Sequence, residues 1–317
     1  MSIKPRPIAS RRSPLAMAQS RYVQNLLATV AGISQNEKDE AFPIKAYVTS
    51  GDKNMAPSLS EEGGKGLFTK EVEEAVLNEQ ADIAVHSMKD MPAQMPEGLV
   101  IAAIPVREDP RDAFVTVEGI SLQEMPEGSR IGTSAVRRAA QLKRLRPDLE
   151  IVPMRGNVGT RLDKLAKNQA DGTFLAEAGL RRLGHDTIQR EVLETSLFLP
   201  ALGQGTLCIQ ARQQDEETLE LCSKINCNVN PFVSASERAF LSQLDGSCRT
   251  PIAGFAHMAA GSLTLTAEIL DPEGQETVRG VEVAAITTLE EASQLGVQLA
   301  EQLKAQASPA LLDLWMS

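Results

Sequence analysis

Arginine residues stand near three predicted helix starts, each after a predicted strand. The N-terminus of a helix carries partial positive charge and free backbone N–H groups, so acidic side chains are the usual choice there. An arginine at the same place adds a second cation and makes the helix end attractive to an anion. Three such ends would converge at the carboxyl edges of parallel sheets, which predicts a ligand with several carboxylates or phosphates. The arginines are Arg11, Arg137, Arg138, Arg155 and Arg161.

The charge of the chain is unevenly distributed. Residues 128–190 hold 13 Lys and Arg against 6 Asp and Glu, whereas the whole chain has a net charge of −10. One basic segment in an acidic protein indicates a confined site for an anionic ligand. The alternative is that some of these cations only pair with acids at the surface, as runs of charge usually do.

One acidic residue follows a predicted buried strand. The apolar run 81–87 is followed directly by Lys89 and Asp90. Functional groups in α/β proteins lie at the carboxyl ends of strands, where Asp90 could act as an acid or base or stabilise a cation. The sequence leaves open the alternative that Asp90 only caps a turn. We expect His86, in the same strand, to be a core residue with its hydrogen bonds satisfied.

A polar loop at residues 245–251 contains Cys248. Arg249 beside it would favour the thiolate, so Cys248 is a candidate nucleophile or a point of covalent attachment. An unreactive role is equally compatible with the sequence. The remaining cysteines lie in apolar or helical contexts without the spacing of a zinc site, and we expect no metal. They are Cys208, Cys222 and Cys227.

The elements that must position these residues alternate between strands and helices over most of the chain. This alternation indicates parallel sheets covered by helices. The last third instead predicts a helix, three β-segments joined by short turns, and a closing helix, which together form an α+β unit. The predicted strands are 44–49, 81–87, 99–104, 113–117, 151–154, 173–176, 207–211, 252–257, 262–270 and 278–285, and the predicted helices are 69–78, 134–146, 157–167, 230–244 and 288–307.

The composition excludes several classes of protein. A chain of 317 residues predicts two or three domains with cores that need no disulfide or metal. The net charge of −10 and the aromatic content of 3% argue against a nucleic-acid-binding protein. No apolar run approaches a membrane span, and the N-terminus has no apolar core of a signal peptide. We therefore expect a cytoplasmic protein with a small-molecule ligand and no membrane partner.

Eight short segments, taken in their order and spacing, resemble the porphobilinogen deaminase (hydroxymethylbilane synthase) family. The resemblance runs from Arg11 to the C-terminal helix, which is nearly the whole chain. The segments are RSPLA at 12–16, GKGLF at 64–68, AVHSMKD at 84–90, REDPRDAF at 107–114, GTS at 132–134, RR at 137–138, RGNVGTR at 155–161 and PALGQG at 200–205.

The resemblance implies a fold of the α/β class with three domains. Two α/β domains would resemble type II periplasmic binding proteins, and a small α+β C-terminal domain would contain a three-stranded antiparallel sheet. The first domain would comprise residues 1–105 and 206–223, the second 106–205 and the third 224–317. The chain would therefore cross back into the first domain before it ends.

The resemblance also implies an activity. Members of the family are transferases of haem biosynthesis that join four porphobilinogen molecules into linear hydroxymethylbilane and release four ammonia. They carry a dipyrromethane cofactor on a loop cysteine through a thioether, and Cys248 occupies that position. Asp90 matches the catalytic aspartate, which we expect to be a buried carboxylate that stabilises the azafulvenium cation left when ammonia departs. A cytoplasmic monomer is the form that the resemblance implies.

The predicted anion site thereby acquires a ligand, because each pyrrole ring carries an acetate and a propionate. Phe68 matches an aromatic residue beside the active site. Two positions depart from the family pattern: Ala135, where many relatives have Ser, and Glu177, where an apolar residue is usual. Glu177 could pair with a nearby arginine or shift the local charge. The positions that match cofactor or substrate contacts are Arg11, Ser13, Ser87, Lys89, Thr133, Ser134, Arg137, Arg138, Arg155, Gly156, Arg161 and Arg182.

The arginines by themselves leave another class of function open. A two-lobed polycarboxylate-binding protein without catalysis would show the same helix ends. A covalent pyrrole adduct would argue against such a receptor. Nucleic-acid binding through the basic segment is a third hypothesis, and it predicts binding that weakens steeply with salt.

Overall fold

The computed structural model describes residues 4–50, 69–92, 95–244 and 250–316. The chain forms two compact units. The first comprises Met1–Glu108 and Thr206–Asn230, and the second comprises Asp109–Gly205 and Pro231–Ser317. The chain therefore crosses to the second unit, returns to the first, and ends in the second.

The secondary structure of the described residues alternates as the sequence predicts. The strands are β1 (Ile8–Arg11), β2 (Ile44–Tyr47), β3 (Ile83–Ser87), β4 (Leu99–Ala103), β5 (Asp112–Thr116), β6 (Arg130–Gly132), β7 (Glu150–Val152), β8 (Gly172–Ala176), β9 (Arg190–Val192), β10 (Leu207–Arg212), β11 (Ile252–Ala259), β12 (Ser262–Leu270) and β13 (Thr277–Ala285). The α-helices are α1 (Pro14–Val30), α2 (Lys38–Ala41), α3 (Lys70–Leu77), α4 (Val136–Leu145), α5 (Val158–Ala166), α6 (Glu177–Arg182), α7 (Glu216–Ser223), α8 (Asn230–Gln243), α9 (Leu289–Gln306) and α10 (Pro309–Met316).

The first unit is built on a five-stranded sheet with the order β2, β1, β3, β10, β4. β1 is parallel to β2 and β3, whereas β10 is antiparallel to both of its neighbours. Helix α1 begins directly after β1 because Ser13 caps it: the Ser13 hydroxyl accepts a hydrogen bond from Ala16 N (3.3 Å), and Pro14 fills the first turn. This early start leaves Arg11 at the carboxyl end of β1.

The second unit repeats this arrangement with the order β7, β6, β8, β5, β9. β6 is parallel to β7 and β8, and β5 is antiparallel to β8 and β9. The α/β class is confirmed, but the prediction of purely parallel sheets is wrong for β5 and β10. Each of these strands is the first that the chain forms after it crosses between units. Neither is reached through a helical crossover within its own sheet, which is the connection that makes neighbouring strands parallel.

The C-terminal part of the second unit has its own sheet. β11, β12 and β13 form the predicted three-stranded antiparallel sheet in chain order, which is confirmed. Helices α8 and α9 contribute to its core, where Phe240, Leu265 and Leu299 are fully buried. The alternation along β12 and the apolar stripe of α9 explain this packing, since both elements present one apolar face.

Two buried acids attach this sheet to the α/β part of the same unit. Glu268 on β12 accepts a hydrogen bond from Arg144 of α4 (Oε2 to Nη1, 2.8 Å). Glu237 on α8 accepts hydrogen bonds from Gly203 N (2.5 Å) and Ala256 N (2.8 Å). Residues expected to form the second and third domains thus lie in one compact unit with two sheets, and the three-domain boundaries stay a prediction.

Most predicted elements are present with ends shifted by a few residues, but β1, β6 and β9 were not predicted. These strands have four, three and three residues, and each contains an arginine, so no apolar run marks them. Within the described residues, no helix is both long and apolar enough to cross a membrane.

Candidate active site

The carboxyl ends of β1 and β3 lie side by side in the first unit, because these strands are parallel neighbours. A short 3₁₀ turn, Met88–Asp90, follows β3 directly. Polar side chains from both strand ends, from α1 and from the start of α3 border a small cavity of about 50 Å³. Its polar lining consists of Arg11, Ser13, Gln19, Thr69, His86, Ser87 and Asp90.

Asp90 is exposed at this cavity, as is its neighbour Lys89. The expectation of a buried carboxylate is therefore wrong: the 3₁₀ turn carries Asp90 beyond the end of the sheet. Within the described residues, the Asp90 carboxylate has no hydrogen bond and no ion pair. An ionised acid in this state is accessible to a ligand and is not committed to holding the fold.

The floor of the cavity is more ordered than its rim. The Gln19 side chain is buried and donates a hydrogen bond from Nε2 to Ser87 Oγ (2.9 Å), which fixes the predicted contact residue Ser87. Sequence analysis missed Gln19. Its signal was a polar residue on the apolar face of α1, where a buried amide needs a partner.

His86 is buried, as expected, but its hydrogen bonds are not satisfied, since Nε2 has no partner. Burial lowers the pKa of His86 to about 4; the Gln210 amide opposes this shift and the charge of Arg11 adds to it. The imidazole is therefore uncharged at neutral pH. Gln210 is held in turn by Glu73 (Nε2 to Oε1, 3.1 Å), which places a buried polar group behind the cavity.

The second unit holds the largest group of predicted binding arginines. Arg137 and Arg138, in the first turn of α4, are buried and share the carboxylate of Asp112 on β5. Arg137 Nη1 lies 2.6 Å from Oδ2, and Arg138 Nη2 lies 2.7 Å from Oδ1. Burial alone would raise the pKa of Asp112, but the charges and hydrogen bonds of both arginines hold it far below its usual range.

Asp112 was missed by sequence analysis, although it lies in one of the family segments. The available signal was an acid within an apolar strand, because a buried charge requires a partner. The alternative to a ligand site was that some arginines pair with acids at the surface. Arg137 and Arg138 do pair with an acid, but that acid is buried. Arg138 still has one buried donor, Nε, without an acceptor.

Arg161 on α5 approaches Arg138 closely enough for the two charges to interact. Its Nε donates to Gly156 O (3.0 Å), and no acidic partner is found for it among the described residues. Burial and, to a smaller extent, the charge of Arg138 together lower the pKa of Arg161 to about 10. A half-buried cation beside a second cation gains free energy when an anion binds between them.

The start of α5 depends on a glycine and an asparagine. Gly156 has φ +118°, and a Cβ there would lie 2.6 Å from the Thr160 side chain, so only glycine fits. The Asn157 side chain then caps α5 by accepting from Thr160 N (2.9 Å). Arg155, just before this turn, is exposed. The turn therefore presents Arg155 and Arg161 on either side of a helix N-terminus, as predicted.

Three further predicted contact residues lie in the second unit. Thr133 is buried and accepts from Ala135 N (3.2 Å), whereas Ser134 is exposed. Arg182 donates from Nη2 to Gly205 O (2.7 Å), near the point where the chain returns to the first unit. The predicted residues Phe68 and Cys248 lie outside the described residues.

Comparison with known proteins decides the family. The family model described as "Porphobilinogen deaminase, dipyromethane cofactor binding domain" matches residues 7–220, and the model "Porphobilinogen deaminase, C-terminal domain" matches residues 232–305. The chain belongs to the porphobilinogen deaminase family. It is a transferase of haem biosynthesis that polymerises porphobilinogen into a linear tetrapyrrole, and its family domain binds a dipyrromethane cofactor.

Full-length relatives agree with this assignment. The chain is 43% identical to the porphobilinogen deaminase of Caulobacter sp. (strain K31), across 98% of this chain and 99% of that protein. It is 45% identical to the porphobilinogen deaminase of Bacillus pumilus (strain SAFR-032), across 89% and 90%. The family assignment is confirmed, and the hypothesis of a non-catalytic polycarboxylate-binding protein is not supported.

Two solved structures with a distant likeness have binding-protein names. A substrate-binding domain of a putative amino acid ABC transporter from Streptococcus pneumoniae Canada MDR_19A has a TM-score of 0.42 at 11% identity, over 77% of this chain and 96% of that one. The probable amino-acid extracellular-binding protein ytmK from Bacillus subtilis has a TM-score of 0.38 at 12% identity, over 71% and 90%. These values are too low to carry an argument about ligands.

The two departures from the family pattern have distinct structural settings. Ala135 occupies the cap position of α4 and offers no side-chain cap, so the hydroxyl that many relatives have is absent there. Glu177 is buried and pairs with two arginines: Oε1 with Arg181 Nε (2.8 Å), and Oε2 with Arg190 Nε (2.6 Å). Of the two roles left open for Glu177, the structure shows pairing.

The described residues fit a polycarboxylate cofactor. The fit rests on three observations: an unpartnered buried donor at Arg138, a half-buried Arg161 without an acid, and an exposed helix start between Arg155 and Arg161. All three are cationic donors in one part of the second unit, and carboxylates are their natural acceptors.

Proposed function

We propose that Asp90 is the catalytic carboxylate of this enzyme, that Cys248 is the attachment point of its cofactor, and that the strand-end arginines bind the acetate and propionate groups. Arg161 carries the proposal for the arginines. Its guanidinium is half-buried beside Arg138 without an acidic partner among the described residues, so an anion bound there would stabilise it.

The position of Asp90 supports its catalytic role. Loss of ammonia from the aminomethyl arm of porphobilinogen leaves a cation, and an ionised carboxylate at that point lowers its free energy. The same carboxylate can then accept the proton that is lost when two rings join. Asp90 is accessible at the cavity and unpaired within the described residues, so neither step requires an ion pair to break first.

The arginines divide the work of binding. Arg11 lies at the cavity that Asp90 borders and can hold a carboxylate of the reacting ring. Arg138, Arg155 and Arg161 form the cationic region of the second unit. Ser13, Ser87, Lys89, Thr133, Ser134, Arg137, Gly156 and Arg182 are proposed as further contacts, with Phe68 as the aromatic neighbour.

The cofactor sets the role of Cys248. When bound, the dipyrromethane supplies the pyrrole chain end that is lengthened. Cys248 thus anchors a primer and takes no part in ring joining, and its neighbour Arg249 favours the thiolate needed for attachment. We further propose a cytoplasmic monomer with the three domains given above, which is the form that the resemblance to the family implies.

Intact mass with peptide mapping tests the attachment. The wild-type chain and the control Cys227→Ala should both carry a dipyrromethane increment, and Cys248→Ala should lack it. Cys227 is a suitable control because it is half-buried in the first unit and was not predicted as a site residue. An increment that persists in Cys248→Ala would refute the assignment.

Turnover tests Asp90. The Asp90→Asn variant should lose at least about a hundred-fold in kcat, the scale of a missing general acid or base. Its Tm should stay within about 2 °C of wild type, since an exposed residue without partners contributes little stability. Glu97→Gln, an exposed acid of the same unit, is the control and should retain full activity. Near-normal turnover of Asp90→Asn would contradict the proposed role.

A further inference from the structure

Two carboxylates of the second unit share the same unusual state. Asp112 and Glu268 are both fully buried, and each lies between two arginines. The partners of Glu268 are Arg144, which ties the C-terminal sheet to the rest of the unit, and Arg279 on β13 of the same sheet. The partners of Asp112 are Arg137 and Arg138, both proposed to bind ligand carboxylates.

Asp112 fixes these two arginines from one side. Its Oδ2 accepts from Arg137 Nη1 at 2.6 Å, and its Oδ1 accepts from Arg138 Nη2 at 2.7 Å. The amide of Gln204 donates to the same Oδ1 (2.8 Å) and also to Pro110 O (2.8 Å), so the carboxylate is itself held in place.

A second set of contacts completes the orientation of each guanidinium. Arg137 Nη1 also donates to Leu199 O (2.8 Å), and Arg138 Nη1 donates to Phe174 O (2.9 Å). Each planar group is thus fixed at two points, and two points define the direction in which its other N–H groups face. For Arg138 one unused donor is the buried Nε, which has no acceptor among the described residues.

Asp112 also sets the local charge. One carboxylate between two guanidiniums leaves a single net positive charge at this point, and Arg161 adds another. Without Asp112, three cations would lie together, and their repulsion would displace the arginines from one another. With it, the two guanidiniums keep fixed positions before any anion arrives, so less ordering is needed on binding.

We propose that Asp112 is a positioning residue for carboxylate binding in this enzyme. It does not touch the ligand; it holds Arg137 and Arg138 in the orientation that accepts the acetate or propionate groups. The inference rests on the proposed role of these arginines and names the residue on which their geometry depends.

The rival explanation is that Asp112 serves only the fold, as Glu268 does. The chain offers a control for this, because Glu268 is equally buried, is hydrogen-bonded by Arg144 (2.8 Å) and has the charge of Arg279 nearby (3.7 Å). We therefore compare Asp112→Asn with Glu268→Gln. In Asp112→Asn the carboxamide can accept from one arginine only and turns N–H groups toward the other. In Glu268→Gln the negative charge is removed, but the carboxamide oxygen can still accept from Arg144.

Three quantities are measured: Tm, the KM for porphobilinogen, and kcat per cofactor-loaded chain. The loaded fraction is determined from the intact mass. Both variants should lower Tm. Asp112→Asn should raise KM roughly ten-fold, the size typical when a hydrogen-bonded support of a binding group is removed. Its kcat per loaded chain should change by less than about three-fold, since Asp90 is in the other unit. Glu268→Gln should leave KM nearly unchanged, because the charge of Glu268 is the smallest of the influences on Arg137.

Further variants keep the test decisive. If Asp112→Asn does not fold, Asp112→Glu retains the charge but displaces the carboxylate by one methylene, and it should still raise KM. An unchanged KM in the soluble Asp112 variants overturns the inference. Arg138→Gln separates the two proposals. If it leaves KM unchanged, the role of the arginines fails; if it raises KM while no Asp112 variant does, only the positioning role fails.

Discussion

Glu177 gives a stability prediction whose size follows from its contacts. The carboxylate is 1% exposed and accepts hydrogen bonds from Arg181 Nε (2.8 Å), Arg190 Nε (2.6 Å) and Arg190 Nη2 (2.8 Å). Replacing Glu177 with Leu introduces an apolar residue, as the resemblance implies for this position, and leaves both arginines without this partner. The two arginines will not respond equally.

Arg181 loses little, because its side chain is 43% exposed and keeps a contact with Asp109 (3.1 Å). An exposed pair of this kind contributes at most about 1 kcal/mol. Arg190 is 13% exposed, and its other hydrogen bonds go to backbone carbonyls, so it is left as a buried cation. Removing one partner of a buried pair costs about 3–5 kcal/mol. We expect Glu177→Leu to lose about 3 kcal/mol, since Arg190 is not fully enclosed.

Urea and thermal unfolding by far-UV circular dichroism measure this loss. The single tryptophan, Trp315, is far along the chain from Glu177 and would not be a suitable probe. A loss of about 3 kcal/mol corresponds to a drop in Tm of roughly 6–12 °C for a unit of this size. Glu118→Gln, an exposed acid of the same unit, is the control and should change stability by less than about 0.5 kcal/mol.

The double variant Glu177→Leu/Arg190→Leu removes the buried cation that lacks a partner and should recover most of the lost stability.

The contribution of Glu177 to stability depends on pH. Burial raises the pKa of Glu177, but the hydrogen bonds from Arg190 and Arg181 lower it more, so its folded pKa lies below its usual value near 4.5. Its stabilisation is present above pH 4.5 and is lost as the pH falls through the folded pKa. A Glu177→Leu variant as stable as wild type at pH 7 would refute this reasoning.

Two further predictions concern the start of α5 and the buried cysteine. Gly156→Ala should destabilise the protein by about 1–3 kcal/mol and raise the KM for porphobilinogen, because φ +118° and the nearby Thr160 exclude a Cβ. The control Gly159→Ala has room for a methyl group and should change neither stability nor KM. Equal effects of the two substitutions would contradict the argument. Cys222 should resist alkylation at pH 8 in the folded protein, because burial raises its pKa to about 12, whereas the half-buried Cys227 should react. Mass spectrometry after iodoacetamide treatment measures the labelling of both cysteines. Rapid labelling of Cys222 would count against its burial.

Local sequence is sufficient to place a helix start where a capping residue directly follows a strand. The Ser13 cap and Pro14 determine the start of α1, and this start places Arg11 at the carboxyl end of β1. Asn157 likewise marks the start of α5. In such cases the deciding interactions lie within a few residues, so the sequence contains them in full.

Tertiary partners could not be predicted in the same way. Asp112 is 25 and 26 residues from its two arginines, and only the pairing of β5 with β8 brings this strand beneath α4. The direction of β5 was also mispredicted, because an apolar run does not record how the chain enters a sheet. The exposure of Asp90 was missed for a related reason: a three-residue turn after a buried strand has no periodic signal.

The net charge of the basic segment 128–190 does not show which of its cations bind a ligand. At least eight of its 13 cations lie within 4 Å of an Asp or Glu side chain in the described residues. Three of those acids, Asp112, Glu177 and Glu268, are buried. A count of charges along the sequence shows neither their burial nor their pairing with arginines. Most of the excess therefore maintains the fold of the second unit. Arg161 indicates a ligand because it is half-buried and has no acidic partner among the described residues, and the sequence alone does not contain that information.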